Sequence, residues 1–138
     1  MKIVINARPA TKKNSQQIII AGKRPCIIPS KAFKAYEELA RAQLAQYPTR
    51  YQGPISVKCE YWLGDARRPD LTNLMAATHD ILEHCGIIDN DRNIVSVDGS
   101  RIVGVDRQNP RVEITIVAVE EIGTQSLMRG ERRTYDNN

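Results

Sequence analysis

Apolar positions recur along this chain at two periods, and the changes from one to the other divide it into elements. "KIVIN" is a short β-rich run that stops at "ARPATKKNS", where Pro9 and a polar cluster signal a loop carrying Lys12 and Lys13. "QQIIIAGKRPCIIPS" holds two β-prone runs separated by Ala21, Gly22 and Lys23, the pattern of a hairpin with glycine in its turn. Ser30 reads as a helix N-cap. From Lys31 to about Gln46, Phe33, Tyr36, Leu39, Ala40 and Leu44 recur at helical spacing among Lys, Glu, Arg and Gln, an amphipathic helix. "YPTRYQGP" interrupts it with two prolines and a glycine. "ISVKCEYWL" follows with Ile55, Val57, Cys59, Tyr61 and Leu63 on one face at period two, which predicts a half-buried strand.

In "RRPDLTNLMAATHDILEHCGIIDND", residues 67–91, Leu71, Leu74, Met75, Ile81, Leu82 and Cys85 fall at offsets 0, 3, 4, 10, 11 and 14 and form one buried helical stripe. Asp70 is a favourable N-cap, and Gly86 suits the left-handed position that ends a helix. "NIVSVDGSRIVGVD" reads as two short strands joined through Asp98-Gly99, and "RVEITIVAVE" as a longer strand with Val112, Ile114, Ile116 and Ala118 on one face. "GTQSLMRGERRTYDNN" has almost no apolar periodicity and reads as a flexible basic tail over 123–138. The order β, β-hairpin, α, β, α, β, β, β predicts an α+β fold: one domain over residues 1–122, with a mostly antiparallel or mixed sheet and two main helices packed on it.

Composition narrows the class. A chain of 138 residues suits one core, and 41% apolar with 26% charged residues is ordinary for a globular protein. No apolar run approaches the roughly 18 residues that cross a bilayer. "MKIVINARPATKKN" lacks the apolar stretch of a signal peptide, so the expectation is a cytoplasmic protein with no membrane partner. Cys26, Cys59 and Cys85 are odd in number and never paired as C-x-x-C, which argues against a disulfide framework or zinc ribbon and for reduced, packed thiols. A formal charge of +4 and a pI near 9.1 favour a polyanionic partner.

The candidate chemistry lies at the two ends of the second helix. Taken alone, Asp70 reads as a cap, supported by Asn73 in the first turn, and "DND" at residues 89–91 reads as a solvated turn. Taken together they suggest a metal site, with a geometric difficulty. A helix over 71–85 is about 22 Å long, whereas the five residues 86–90 span at most ~18 Å. Asp70 and Asp91 therefore meet only if the helix ends near Leu82, or the contact is indirect or made across a dimer. Asp89, Asp91 and Asn93 do not begin a calcium loop, because its sixth and twelfth positions hold Ile94 and Ser100. His79 and His84 stand five apart without H-E-x-x-H, so they read as partly exposed helix residues.

"RRPDLTNL", "HDIL" and "GIIDNDRNIV" resemble the RusA-like Holliday-junction resolvases of bacteria and their phages, whose pattern is Arg-Pro-Asp-x-Asp-Asn-Leu, then Asp-Ala-Leu, then Gly-x-x-x-Asp-Asp-x-Gln-Ile. "RPATKKNS" and "IIPSKAFKAYEE" are similar to that family's loop and first helix, so the resemblance covers about residues 1–119. It implies a Mg²⁺-dependent homodimeric endonuclease, with Mn²⁺ as a substitute, that makes paired nicks in branched DNA. Position by position, the first acid falls on Asp70, the last on Asp91, and the aspartate of "DIL" is Asp80. Three departures accompany this: Thr72 replaces the second acid, Ala76 the catalytic lysine, and Asn90 the first of the paired acids, with Asp89 beside it as a substitute. The expected catalytic residues are Asp70, Asp91 and Asp80, and the expected metal ligands are Asp70, Asp91, Asp89 and Thr72, the last through a neutral hydroxyl. Ala76 cannot stabilise developing charge, so Arg68, Arg92 or Arg101 would have to serve. Lys12, Lys13, Arg67 and Arg68, with Arg92 and Arg101, are the expected DNA contacts. A junction binder that cuts poorly is the alternative, and an interaction domain without a DNA role ranks last.

Overall fold

In chain order the elements are β1 (Lys2–Ile5), β2 (Gln16–Ala21), β3 (Arg24–Pro29), α1 (Lys31–Leu44), β4 (Ile55–Leu63), α2 (Leu71–His84), a 3₁₀ turn (Asp91–Asn93), β5 (Ile94–Ser96), β6 (Arg101–Val105) and β7 (Arg111–Ala118). This computed structural model describes residues 1–12, 16–21, 24–29, 31–48 and 50–119. The expected cap at Ser30, the Gly22-Lys23 turn, Lys13 and the 123–138 tail, with the domain boundary before it, lie outside the described residues.

Strand β4 organises a five-stranded mixed sheet. Its alternation is realised in full, with Ile55, Val57, Cys59, Tyr61 and Leu63 all at most 5% exposed. On one side it pairs antiparallel with β7, which in turn pairs antiparallel with β1. On the other side it pairs parallel with β5 and then β6. A separate two-stranded sheet joins β2 to β3 in antiparallel register. The inward residues of β1, β4 and β7 form one core with Phe33, Tyr36, Ala40 and Leu44 of α1 and Leu74, Ala77, Ile81 and Leu82 of α2. Each fully buried aliphatic side chain there contributes about 1.5–3 kcal/mol. The arrangement is the α+β fold expected.

Several local expectations change. Leu39 is 53% exposed, because Phe33, Tyr36, Ala40 and Leu44 define a narrow stripe and Leu39 lies beyond its edge at 100° per residue. The segment around Asp98-Gly99 turns, with Gly99 at φ 86°, yet β5 and β6 do not form a hairpin. Both lie along the same edge of β4, which at nine residues accommodates three and then five. Between them the Cys59 N–H donates to Ser100 Oγ at 3.0 Å, so the gap in the ladder leaves no orphaned donor there. Thr78, a polar residue within the apolar stripe, is buried: its hydroxyl meets the Tyr61 hydroxyl at 2.7 Å and donates to the Leu74 carbonyl at 2.9 Å. Burial pushes the thiol of Cys59 up to about 12, which matches its reading as a small packed hydrophobe.

Candidate active site

The end of α2 sets the site's shape. The helix runs to His84, past the early stop at Leu82 that direct closure required, and Gly86 at φ 76° turns the chain out of it. The chain then folds back: the N–H of Ile87 donates to the Leu82 carbonyl, the N–H of Tyr51 to the Ile87 carbonyl, and the N–H of Asp89 to the Tyr51 carbonyl. Ile87 and Ile88 are buried, so the reversal is anchored by apolar contact as well as backbone bonds. Asp91 then opens a 3₁₀ turn. Asn90 caps that turn, its Oδ1 accepting from the Arg92 N–H at 2.9 Å, and the Asp91 N–H donates to Glu83 Oε1 at 3.1 Å. An amide at position 90 thus does the capping work an acid would do there.

This return carries Asp91 back against the last turn of α2, where Glu83 meets it. Asp91 and Asp80 both lie close enough to His79 for their charges to favour its protonated form. Burial is the larger influence and holds the imidazole below its ordinary range, so His79 is neutral at neutral pH. His79 Nε2 is buried with no hydrogen-bond partner among the described residues, while the residue as a whole is half-buried, in keeping with its reading as a partly exposed helix residue. Lys12, from the loop after β1, reaches Asp80 at 3.5 Å and sits 5.8 Å over the Phe33 ring. Ala76 lies one turn earlier on the same side of α2. The face without its expected lysine therefore receives one from a distant segment.

Asp70 is at the other end. It occupies the N-cap position with extended dihedrals, but its side chain makes no cap hydrogen bond. Among the described residues its carboxylate accepts only a 3.4 Å contact from Asn73 Nδ2. Asp80 is ten residues further on, about 15 Å along the axis. Asp70 and Asp91 therefore stand at separate ends of the helix. Thr72 is exposed in the first turn, and Asp89 lines a small cleft with Arg50, Tyr51 and Glu83. Among the described residues no three His, Cys, Asp or Glu side chains converge to hold a metal ion. A Mg²⁺-like ion needs less from protein, one or two carboxylates with waters and substrate phosphate completing an octahedron. Asp80 with Asp91, and separately Asp70, offer hard oxygen donors that fit that mode and not a closed cage.

The basic residues divide. Arg67 and Arg68 are exposed in the loop before α2, and Arg92 is exposed on the turn that carries Asp91. Arg101 pairs with Glu60 at 2.9 Å on the face of the sheet away from α2, which removes it as a replacement cation for Ala76 within the chain. Sequence reasoning missed Glu83, whose spacing reads as a solvated helix face, and Asn90, whose value lies in the turn it caps. No helix among the described residues is long and apolar enough to cross a membrane. A family model described as endodeoxyribonuclease RusA matches residues 2–117. No curated protein matches the chain.

Proposed function

The chain belongs to the endodeoxyribonuclease RusA family, and from that premise we propose that it is a divalent-metal-dependent endonuclease that nicks Holliday junctions or similar branched DNA in recombination and repair. Supporting this is one observation above others: the reversal after Gly86 folds Asp91 back onto α2, where its N–H is held by Glu83, three residues from the Asp80 that Lys12 pairs with. In this reading Asp80 and Asp91 hold Mg²⁺, or Mn²⁺ in its place, with Asp89 as an accessory oxygen donor, and Thr72, in the first turn of α2 beside Asp70, joins from the partner protomer as Asp70 does. Such an ion, when bound, lowers the pKa of a coordinated water and neutralises charge on the phosphate under attack.

The chain's own residues do the rest. Glu83 and Asn90 hold Asp91 in place. Lys12 brings positive charge to a helix face where Ala76 has none, so it stabilises charge developing on the reacting phosphate. Lys13, Arg67, Arg68, Arg92 and Arg101 contact phosphates along the arms without reading sequence. Asp70, about 15 Å from Asp80 along its own helix, joins the site across a homodimer: Asp70 of one protomer stands beside Asp91 of its partner. A poorly cutting junction binder is the second reading, favoured by Thr72 and Ala76, which remove one charge of each sign from the family's pattern.

The test incubates the protein with a four-way junction and with linear duplex, in Mg²⁺ or in EDTA. Metal-dependent nicks confined to the junction, lost in Asp70→Asn and Asp91→Asn, support the enzyme. Tight junction binding without product in Mg²⁺ or Mn²⁺ supports the binder instead. Mixing the two inactive variants tests the shared site. If each site takes one acid from each protomer, a mixed dimer regains one intact site and nicks a single strand. If both acids come from one chain, the mixture stays dead.

A further inference from the structure

Next to Asp70 in the chain, and lined by the loop that precedes it, lies a cleft of about 620 Å³. That volume is within the roughly 300–1,000 Å³ typical of small-ligand sites. Arg8, Arg67, Arg68 and Asp65 line it, together with Thr11 and with small or apolar residues that include Ala10 and Leu63. Asp65 organises the charged residues. Its carboxylate accepts from Arg8 Nη2 and from Arg67 Nη2 and Nε, and also from the Arg67 backbone N–H at 3.0 Å. These arginine contacts hold its carboxyl down at about 2. Gly64 allows the arrangement, because a Cβ there would stand 3.1 Å from Arg8 Cδ and Nε. Two guanidinium groups are thus drawn together on one carboxylate, and each keeps N–H donors without a partner among the described residues. The four charged residues sum to +2.

Two like-charged forks held beside a concave, mostly aliphatic wall match an anion joined to an apolar body. Duplex DNA presents its phosphates on a convex rod, so a duplex touches the rim of such a cleft and leaves its interior empty. An extruded nucleotide fills it. Resting on the reading of the protein as a DNA enzyme, we propose that this cleft takes one unpaired nucleotide of the substrate, its phosphate gripped by Arg8 and Arg67 and its sugar and base laid against Ala10 and Leu63. Unpairing costs least where stacking is already broken. Capture of an extruded nucleotide next to Asp70 therefore favours a branch point over continuous duplex. The described residues of the cleft walls include no aromatic side chain, so recognition by them is through shape and phosphate charge with no stacking platform.

The test measures binding of the full-length protein, in EDTA, to fluorescein-labelled duplexes with and without a single-nucleotide bulge. The bulged duplex binds tighter by at least about tenfold, because unpairing no longer draws on binding energy. Arg8→Gln abolishes that preference, and so does Ala32→Trp, which fills the cleft from an exposed position in the first turn of α1. Both variants bind intact duplex within about twofold of the parent, since neither residue serves a general contact. Equal affinity for the two duplexes, from a protein that still nicks four-way junctions, overturns the cleft and leaves the nuclease standing. A bulge preference that survives Ala32→Trp overturns it too, as does equal weakening of both duplexes by Arg8→Gln. Failure to bind any DNA removes the nuclease reading and the cleft together.

Discussion

Removing the Glu83 carboxylate tests whether Asp91 is held in place or merely passes nearby. Two acceptors secure the turn that presents it: Glu83 Oε1, 3.1 Å from the Asp91 N–H, and Asn90 Oδ1, 2.9 Å from the Arg92 N–H. Both bonds are exposed, and each contributes about 0.5–1.5 kcal/mol net. Glu83→Ala therefore lowers the population of the closed turn by roughly 2- to 10-fold relative to its open forms. Protection of the Asp91 amide from hydrogen exchange falls by the same factor. Single-turnover nicking of a four-way junction in Mg²⁺ falls by up to that factor, because only molecules with Asp91 in place react. Glu83→Gln restores both quantities, since its amide oxygen still accepts from the same N–H. Unchanged amide protection in Glu83→Ala refutes the positioning role. A Gln variant as impaired as the Ala variant would assign the effect to the charge of Glu83 instead.

Thr78→Val strands the buried Tyr61 hydroxyl and destabilises by about 1–3 kcal/mol. Tyr61→Phe combined with Thr78→Val recovers much of the loss in a double-mutant cycle read by urea unfolding. Gly86→Ala forces a Cβ into a left-handed residue and against Arg50. It costs about 1–2 kcal/mol and shifts the return of the chain towards Asp91, so melting temperature and nicking fall together. Asp65 has its carboxyl depressed from 3.8 to about 2, so its contribution is complete above its unfolded value and disappears as pH falls through about 2. Asp65→Asn flattens thermal stability against pH in that window, and an unchanged slope contradicts the assignment. Lys12→Ala lowers nicking by about 10- to 100-fold with junction affinity reduced by less, as a cation acting at the reacting phosphate requires.

The strands and helices were legible wherever burial follows a local period. All five inward positions of β4 could be named in advance because one face of that strand is dry. Thr78 could not, because its hydroxyl is satisfied by a residue seventeen positions earlier, a pairing that no local window contains. Two short apolar runs around Asp-Gly look like a hairpin, and only the length of β4 explains why both lie along it instead. At the site, the motif residues were readable but their grouping was not. Asp70 obeys the local rule for a cap in its backbone and breaks it in its side chain, whose carboxylate takes a contact from Asn73 instead of a backbone N–H. Lys12 and Asp80 meet across 68 positions, and Asp65 joins Arg8 across 57.

The order β1-β7-β4 in the main sheet has a consequence for how the chain is made. Among the described residues β1 pairs with no strand but β7, so its ladder stays open until Val112 and Ile114 emerge, although α1 is made earlier and packs on the same strand. Late-arriving partners of this kind slow assembly, because distant segments must find each other before either gains from the meeting. Nascent chains arrested short of residue 111 would expose unpaired edges on β1 and β4 at once, the state most open to chaperone capture and to clumping with its own kind.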